Sequence, residues 1–136
     1  MARTVLIADD VAFVRKTLSE ILTAAHYQVV GEAKDGQEAV QLYMRLKPDL
    51  VTMDVVMPVM SGVEATRKII KADKDAKIVV ISAMGQENLV MESINVGAKD
   101  YLLKPFTAEE VLKTIDRAFV GDEKSGKSNQ SAQKAI

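Results

Sequence analysis

The sequence contains no cysteine and no tryptophan, and its only histidine is His26. Without cysteine the chain cannot form disulfides, a thiolate zinc site or a cysteine nucleophile, and a lone histidine cannot supply the usual histidine pairs or triads. Aromatic residues make up only 4% of the chain, whereas 48% of its residues are hydrophobic. The composition therefore excludes zinc chemistry first and predicts an aliphatic core.

Neither sign of charge dominates, because 18 lysines and arginines face 19 aspartates and glutamates. Binding to a phosphate backbone or an anionic membrane requires clustered basic residues, and no such excess is present. No apolar run approaches the ~20 residues of a membrane span, and acidic residues follow the first apolar stretch too early for a secretion signal. We therefore expect a cytoplasmic protein that binds neither nucleic acid nor membrane.

The 136 residues provide about one domain. Short apolar runs alternate with amphipathic stretches, which predicts an α/β fold with a doubly wound parallel sheet of five βα units. The predicted strands are 5–8, 28–32, 50–53, 78–81 and 101–103. Helix starts are marked by two capping boxes, Ser61 with Glu64 and Thr107 with Glu110.

From Gly121 the sequence becomes polar, and its apolar residues no longer recur at a regular spacing. This composition predicts a disordered tail over 121–136, which leaves 1–120 as the folded domain. Residues 121–128 also match the letters of a nucleotide phosphate-binding loop. Such a loop needs a strand before it and a helix after it, so we assign it no role.

Polar residues stand where four of the predicted strands end. Asp9 and Asp10 follow the first strand, Asp54 the third, Ser82 the fourth and Lys104 the fifth. In a doubly wound sheet the carboxyl ends of the strands share one edge, where ligands bind. We therefore expect these five side chains to meet there.

Three carboxylates in one pocket repel one another unless a proton or a cation neutralises them. Oxygen ligands without histidine or cysteine favour Mg²⁺ with retained waters, and Mn²⁺ is a substitute. Asp54 is the candidate nucleophile for a phosphoryl group, with Lys104 and Ser82 beside it, because the adjacent Asp9 and Asp10 suit a metal-holding pair. Asp10 alone fits equally well as a helix N-cap.

Several motifs together resemble the receiver domain of two-component response regulators in its single-domain chemotaxis form, the CheY class. The resemblance covers residue 3 to about residue 119. It rests on Asp9-Asp10, Asp54 with Met57-Pro58 and Gly62, Ser82-Ala83, Gly97-Ala98 and Lys104-Pro105-Phe106.

The resemblance implies a flavodoxin-like (βα)5 fold with strand order 2-1-3-4-5 and a cis peptide at Lys104-Pro105. It also implies that Asp54 accepts phosphate from a histidine kinase and that Lys104 pairs with the phosphoryl group. Asp9, Asp10, Asp54 and the backbone carbonyl of Val56 would hold Mg²⁺. Such a protein is not an enzyme beyond its own phosphotransfer and self-dephosphorylation.

The resemblance further implies a switch. Ser82 moves toward the phosphate, which lets Tyr101 turn inward and reshape the surface of the fourth helix, fifth strand and fifth helix. That surface would recruit a target such as a flagellar motor switch protein. Val56 and Met84 are apolar where some relatives carry groups that orient water, so we expect slow self-dephosphorylation and a separate phosphatase.

Other functions stay open at this point. The same domain fits a phosphorelay intermediate outside chemotaxis, or a phosphate sink. A phosphatase with an aspartate nucleophile is a remote alternative, because such enzymes use Asp-x-Asp and Val56 stands at the second position. A flavin carrier is disfavoured, because Asp9 and Asp10 repel a phosphate.

Overall fold

Ten elements alternate along the chain in the computed structural model, which describes residues 2–126 and their side chains as far as Val120. They are β1 (Thr4–Ala8), α1 (Ala12–Ala24), β2 (Gln28–Ala33), α2 (Gly36–Leu46), β3 (Leu50–Asp54), α3 (Gly62–Ala72), β4 (Ile78–Ser82), α4 (Glu87–Asn95), β5 (Asp100–Leu103) and α5 (Ala108–Gly126). Every predicted strand is present, and each is one residue longer than predicted, at its start in β1 and β5 and at its end in β2, β3 and β4.

The five strands form one parallel sheet in the order β2-β1-β3-β4-β5. This confirms the α/β fold and the flavodoxin-like strand order. The three central strands are buried along nearly their whole length. Helices cover both faces of these strands, which explains why their sequences are continuously apolar rather than alternating.

Alternate residues of each strand point to opposite faces and build two separate cores. In β1, Leu6 packs with the residues of α2 and α3, whereas Val5 and Ile7 pack with those of α1 and α5. Aliphatic side chains make up most of both cores, as the low aromatic content predicts. The sheet is thereby held rigidly between two helical layers, with its loops left at the edges.

The two predicted capping boxes differ. At α5, the Thr107 N–H donates to Glu110 Oε1 at 2.8 Å and the Glu110 N–H donates to Thr107 Oγ1 at 3.1 Å, so this box is complete. At α3, Ser61 Oγ accepts from the Glu64 N–H at 3.1 Å. The Glu64 carboxylate accepts from Arg67 rather than reaching back to Ser61, so only half of this box is observed.

The helix α5 continues to Gly126, six residues beyond the predicted boundary at Val120. The predicted tail over 121–136 therefore overlaps the end of α5, and its disorder stays a prediction. Once a helix is nucleated, each further residue adds a hydrogen bond at little cost, so a polar stretch can extend a helix that its neighbours start. Residues 127–136 lie outside the described residues.

Gly62 makes the close packing between α3 and β3 possible. Its N–H donates to the Val55 carbonyl at 2.9 Å, and a Cβ atom placed on it would overlap the carbonyl oxygen of Asp54. Only a residue without a side chain fits so close to the backbone. The beginning of α3 is therefore pressed directly against the end of the strand that carries Asp54.

We expect Gly62→Ala to lower the free energy of unfolding by about 3 kcal/mol or more, because backbone must move to relieve the overlap. Urea denaturation measures this value. Gly85→Ala is the matched control, since Gly85 has φ +90° but nothing within 4 Å of the added Cβ. That control should cost about 1–2 kcal/mol from its left-handed backbone alone. Equal losses in the two variants would contradict the close-packing argument.

Candidate functional site

Three carboxylates meet at the carboxyl edge of the sheet. Asp9, Asp10 and Asp54 each offer an oxygen atom, and these atoms lie within 4.8 Å of one another. β1 and β3 are hydrogen-bonded neighbours, which brings residues far apart in the sequence together. Asp9 is buried, Asp54 is 6% exposed and Asp10 faces solvent. The structure thus forms the acidic cluster that the sequence predicts.

The backbone around this cluster fixes one oxygen of each buried carboxylate. Asp9 Oδ1 accepts a hydrogen bond from the Val11 N–H at 2.9 Å, and Asp54 Oδ1 accepts one from the Val56 N–H at 3.2 Å. The N-cap of α1 is Val11, with no side-chain capping bond. The alternative role of Asp10 as an N-cap is therefore not observed, and its carboxylate belongs to the cluster.

Lys104 reaches the other oxygens from the end of β5. Its Nζ lies 3.0 Å from Asp9 Oδ2 and 3.3 Å from Asp54 Oδ2, and it donates a hydrogen bond to the latter. The contact with Asp9 is an ion pair without hydrogen-bond geometry, so buried Asp9 Oδ2 has no hydrogen-bond partner among the described residues. The peptide after Lys104 is cis, as the resemblance implies.

The electrostatics of the cluster are unbalanced. Burial and the charge of Asp9 raise the pKa of Asp54 from 3.8 to about 6, although Lys104 and the Val56 N–H act in the opposite direction. Burial by itself lowers the pKa of Lys104, but its pairing with Asp9 and Asp54 outweighs this and raises the pKa above its ordinary value. One ammonium group therefore leaves excess negative charge in the pocket.

This arrangement fits a hard divalent cation. Three carboxylates that share one ammonium, together with a carboxyl pKa raised by burial and by the neighbouring charge, indicate that the pocket lacks positive charge. The ligand atoms are all oxygens, which Mg²⁺ prefers. The contribution of the Val56 carbonyl to such a site stays a prediction.

The remaining predicted residues lie at the same edge or beside it. Ser82 is the buried last residue of β4, and its carbonyl accepts from the Lys104 N–H at 2.8 Å. Tyr101 lies on β5 opposite Val80 and is 50% exposed, so it does not reach the carboxylates. The structure brings Ser82 into the neighbourhood of Lys104 and leaves Tyr101 on the outer surface.

A tight turn in the β3–α3 loop was not predicted. Val59 has φ +70°, and the Pro58 carbonyl accepts from the Met60 N–H at 2.7 Å, which defines a γ-turn. The Gly36 N–H then donates to the Met60 carbonyl at 3.0 Å and ties the loop to α2. A β-branched residue is unusual in this conformation, so its sequence carries no turn signal.

The profile of the response regulator receiver domain matches residues 5–116 of this chain. The chain belongs to the response regulator receiver family. Among curated proteins, this receiver domain is 50% identical over 117 residues to the chemotaxis protein CheY of Thermotoga maritima, covering 86% of this chain and 98% of that protein. It is 45% identical to CheY of Bacillus subtilis over 117 residues, with the same coverage of both chains.

Solved structures agree with this assignment. A crystal structure of a CheX-CheY complex with BeF3 and Mg²⁺ from Borrelia burgdorferi contains a chain similar to this receiver domain, with a TM-score of 0.83 and 37% identity. The match covers 86% of this chain and 89% of that one. Within residues 2–126, none of the receiver's helices has the length and apolar character needed to cross a bilayer.

The unbalanced charge predicts that Asp54→Asn stabilises the metal-free protein. Because the pKa of Asp54 is higher in the folded state than in the unfolded chain, its ionisation opposes folding above about pH 6, and this penalty disappears as the pH falls toward about 4. We expect a gain of about 2 kcal/mol in the free energy of unfolding near pH 8 that vanishes by about pH 4.

Urea denaturation at several pH values, with a chelator present, measures this gain. Asp75→Asn removes an equivalent charge from an exposed position and serves as the control. Added Mg²⁺ should reduce the difference between the wild type and Asp54→Asn by stabilising the wild type. A loss of stability in Asp54→Asn near pH 8 would contradict the analysis.

Proposed function

We propose that this receiver domain is a stand-alone phosphorylation-dependent switch in which Asp54 accepts a phosphoryl group from a histidine kinase. The observation that carries the proposal is the position of the Asp54 carboxylate. Its Oδ2 lies 3.3 Å from the Lys104 ammonium, and the carboxylate shares one cluster with the acidic pair Asp9 and Asp10. Asp9 also contacts Lys104, but it is completely buried and adjacent to Asp10, so it suits the metal-holding pair and leaves Asp54 as the acceptor.

In the proposed reaction an oxygen of Asp54 attacks phosphorus, and the bond from phosphorus to the imidazole nitrogen of the donor breaks. The product is an acyl phosphate, and the electron pair of the broken bond leaves with the donor nitrogen. Asp9, Asp10, Asp54 and the Val56 carbonyl would hold Mg²⁺, or Mn²⁺ in its place, and the bound cation supplies positive charge for the phosphoryl oxygens. Lys104 would pair with a phosphoryl oxygen.

Phosphorylation then changes the surface around β5. A cavity of about 230 Å³ lies between α4 and β5, and both Ser82 and Tyr101 line it. A phosphoryl group adds a charge of roughly −1.5 to −2 and new hydrogen-bond acceptors, which attract the Ser82 hydroxyl. The half-exposed Tyr101 ring then has room to turn into the cavity. This movement would remodel the surface formed by α4, β5 and α5.

The downstream partner is a protein that reads this surface. The relatives named chemotaxis protein CheY support a role in chemotaxis. The target that we propose for that role is a flagellar motor switch protein. A phosphorelay intermediate outside chemotaxis, or a phosphate sink, uses the same site chemistry and remains the alternative. We also propose that the protein acts in the cytoplasm. It turns over no external substrate in this proposal, because Val56 stands where a phosphatase with an aspartate nucleophile has its second acid.

The phosphoacceptor is tested with acetyl phosphate as a small phosphodonor. We expect the wild type to gain one phosphoryl group by intact mass in the presence of Mg²⁺ and none after chelation. Asp54→Asn should gain none, whereas the surface control Asp75→Asn should behave as the wild type does. Phosphorylation of Asp54→Asn to the wild-type extent would remove Asp54 from its proposed role.

The lifetime of the acyl phosphate is a separate prediction. Val56 and Met84 are exposed apolar side chains in the loops that follow β3 and β4, and neither can orient an attacking water. We expect the doubly substituted Val56→Asn, Met84→Glu protein to lose its phosphoryl group at least about tenfold faster than the wild type, because positioned polar groups assist water attack.

Loss of acid-labile phosphate after removal of the donor gives both rates. Val120→Asn, also an exposed valine but far along α5, is the control and should leave the rate unchanged. A slow wild-type rate would support the action of a separate phosphatase. Equal rates in the wild type and the double variant would refute the explanation.

A further inference from the structure

Arg15 connects the metal-binding edge to the outer strand of the sheet. It lies in the first turns of α1, and its side chain is only 13% exposed. Its Nη1 donates to the backbone carbonyl of Asp9 at 2.7 Å, and its Nε donates to Glu32 Oε1 at 2.9 Å. One guanidinium therefore joins α1, the β1–α1 loop and β2.

The contact with Asp9 occurs where the regular strand pairing of β1 has stopped. β1 ends at Ala8, so the Asp9 carbonyl needs a partner outside the strand ladder. The Asp9 N–H still donates to the Ala33 carbonyl at 3.0 Å, and its Oδ1 accepts from Val11. Arg15 supplies the third contact, and together these contacts fix both the backbone and the carboxylate of Asp9.

The chemistry of the guanidinium suits positioning rather than neutralisation. Arg15 bonds the carbonyl oxygen of Asp9, whereas Lys104 faces the Asp9 carboxylate. The ion pair between Arg15 Nε and Glu32 holds the planar guanidinium in one orientation, so that Nη1 points at the Asp9 carbonyl in the β1–α1 loop. Arg15 therefore leaves the carboxylate oxygens of Asp9 available to a cation.

We propose that Arg15, anchored by Glu32, is a positioning residue that orients Asp9 and thereby sets the affinity of the site for Mg²⁺. This inference rests on the proposed function, because it assumes that the acidic cluster binds Mg²⁺. Groups that orient a metal ligand commonly change metal affinity by about 10- to 100-fold when they are removed. Arg15 does not touch the phosphoryl group in this proposal and acts only through Asp9.

The direction in which Mg²⁺ affinity changes when Arg15 is replaced distinguishes a positioning role from simple charge repulsion. If Arg15 acted only as a nearby positive charge, its removal would strengthen binding of a divalent cation, because repulsion would fall. If it orients Asp9, its removal weakens binding. Arg15→Lys keeps the charge but lacks the fork that bonds the carbonyl and Glu32 together, so it should also weaken binding.

The test measures Mg²⁺ affinity by isothermal titration calorimetry on the full chain, with metal-free stability measured separately by urea denaturation. We expect the Kd for Mg²⁺ to rise about 10- to 100-fold in Arg15→Ala and by a similar factor in Arg15→Lys. Glu32→Gln keeps an acceptor for the guanidinium but loses the charge, so its Kd should rise only a few-fold.

Arg67→Ala is the matched control, because Arg67 also bridges two carboxylates, Glu64 and Glu92, but is 43% exposed and lies away from the cluster. Its Mg²⁺ affinity should match the wild type. If Arg15→Ala does not fold, the folded Arg15→Lys variant decides the question. Unchanged or tighter Mg²⁺ binding in the folded Arg15 variants overturns the inference, whereas a wild type that binds no Mg²⁺ overturns the proposed function instead.

Discussion

The repulsion between the buried carboxylates of Asp9 and Asp54 is the interaction on which the site depends. Two buried aspartates are mutually destabilising, and the ammonium of Lys104 near their Oδ2 atoms offsets only part of that cost. The fold therefore keeps a region of excess negative charge at the edge of an otherwise apolar sheet. A divalent cation bound at the cluster would offset this excess negative charge.

The sheet order explains how such an unfavourable pair is kept together. β1 has β2 on one side and β3 on the other, so the order in which the chain adds parallel strands to the sheet reverses at β1. The loops that follow β1 and β3 therefore separate at this point. Each aspartate is then fixed by its own strand and by an N–H two residues further along the chain. The two cores behind the sheet provide the free energy that holds the carboxylates in place.

The sequence predicts the features that depend on local pattern. The strands are visible because burial on both faces requires continuous apolar runs, and the five polar residues at the strand ends are visible because parallel strands share one edge. The features that the sequence does not predict involve contacts between residues far apart in the chain. The box at Ser61 is half formed because Arg67 takes the Glu64 carboxylate and also contacts Glu92 on α4. The Arg15–Glu32 pair joins α1 to β2, and no local sequence motif predicts it.

Lys104 links the chemistry of the cluster to the outer face of the domain in two ways. Its side chain contacts Asp54, while its backbone N–H donates to Ser82 and so holds the end of β5 against the end of β4. Tyr101 lies three residues earlier on the same short strand and lines the same cavity as Ser82. In the proposed switch, a change of charge at Asp54 would act through the Ser82 hydroxyl at the end of β4 and through Lys104, which follows β5. Because Ser82 and Tyr101 line one cavity, a displacement at the carboxylate would have a short path to the surface in that switch.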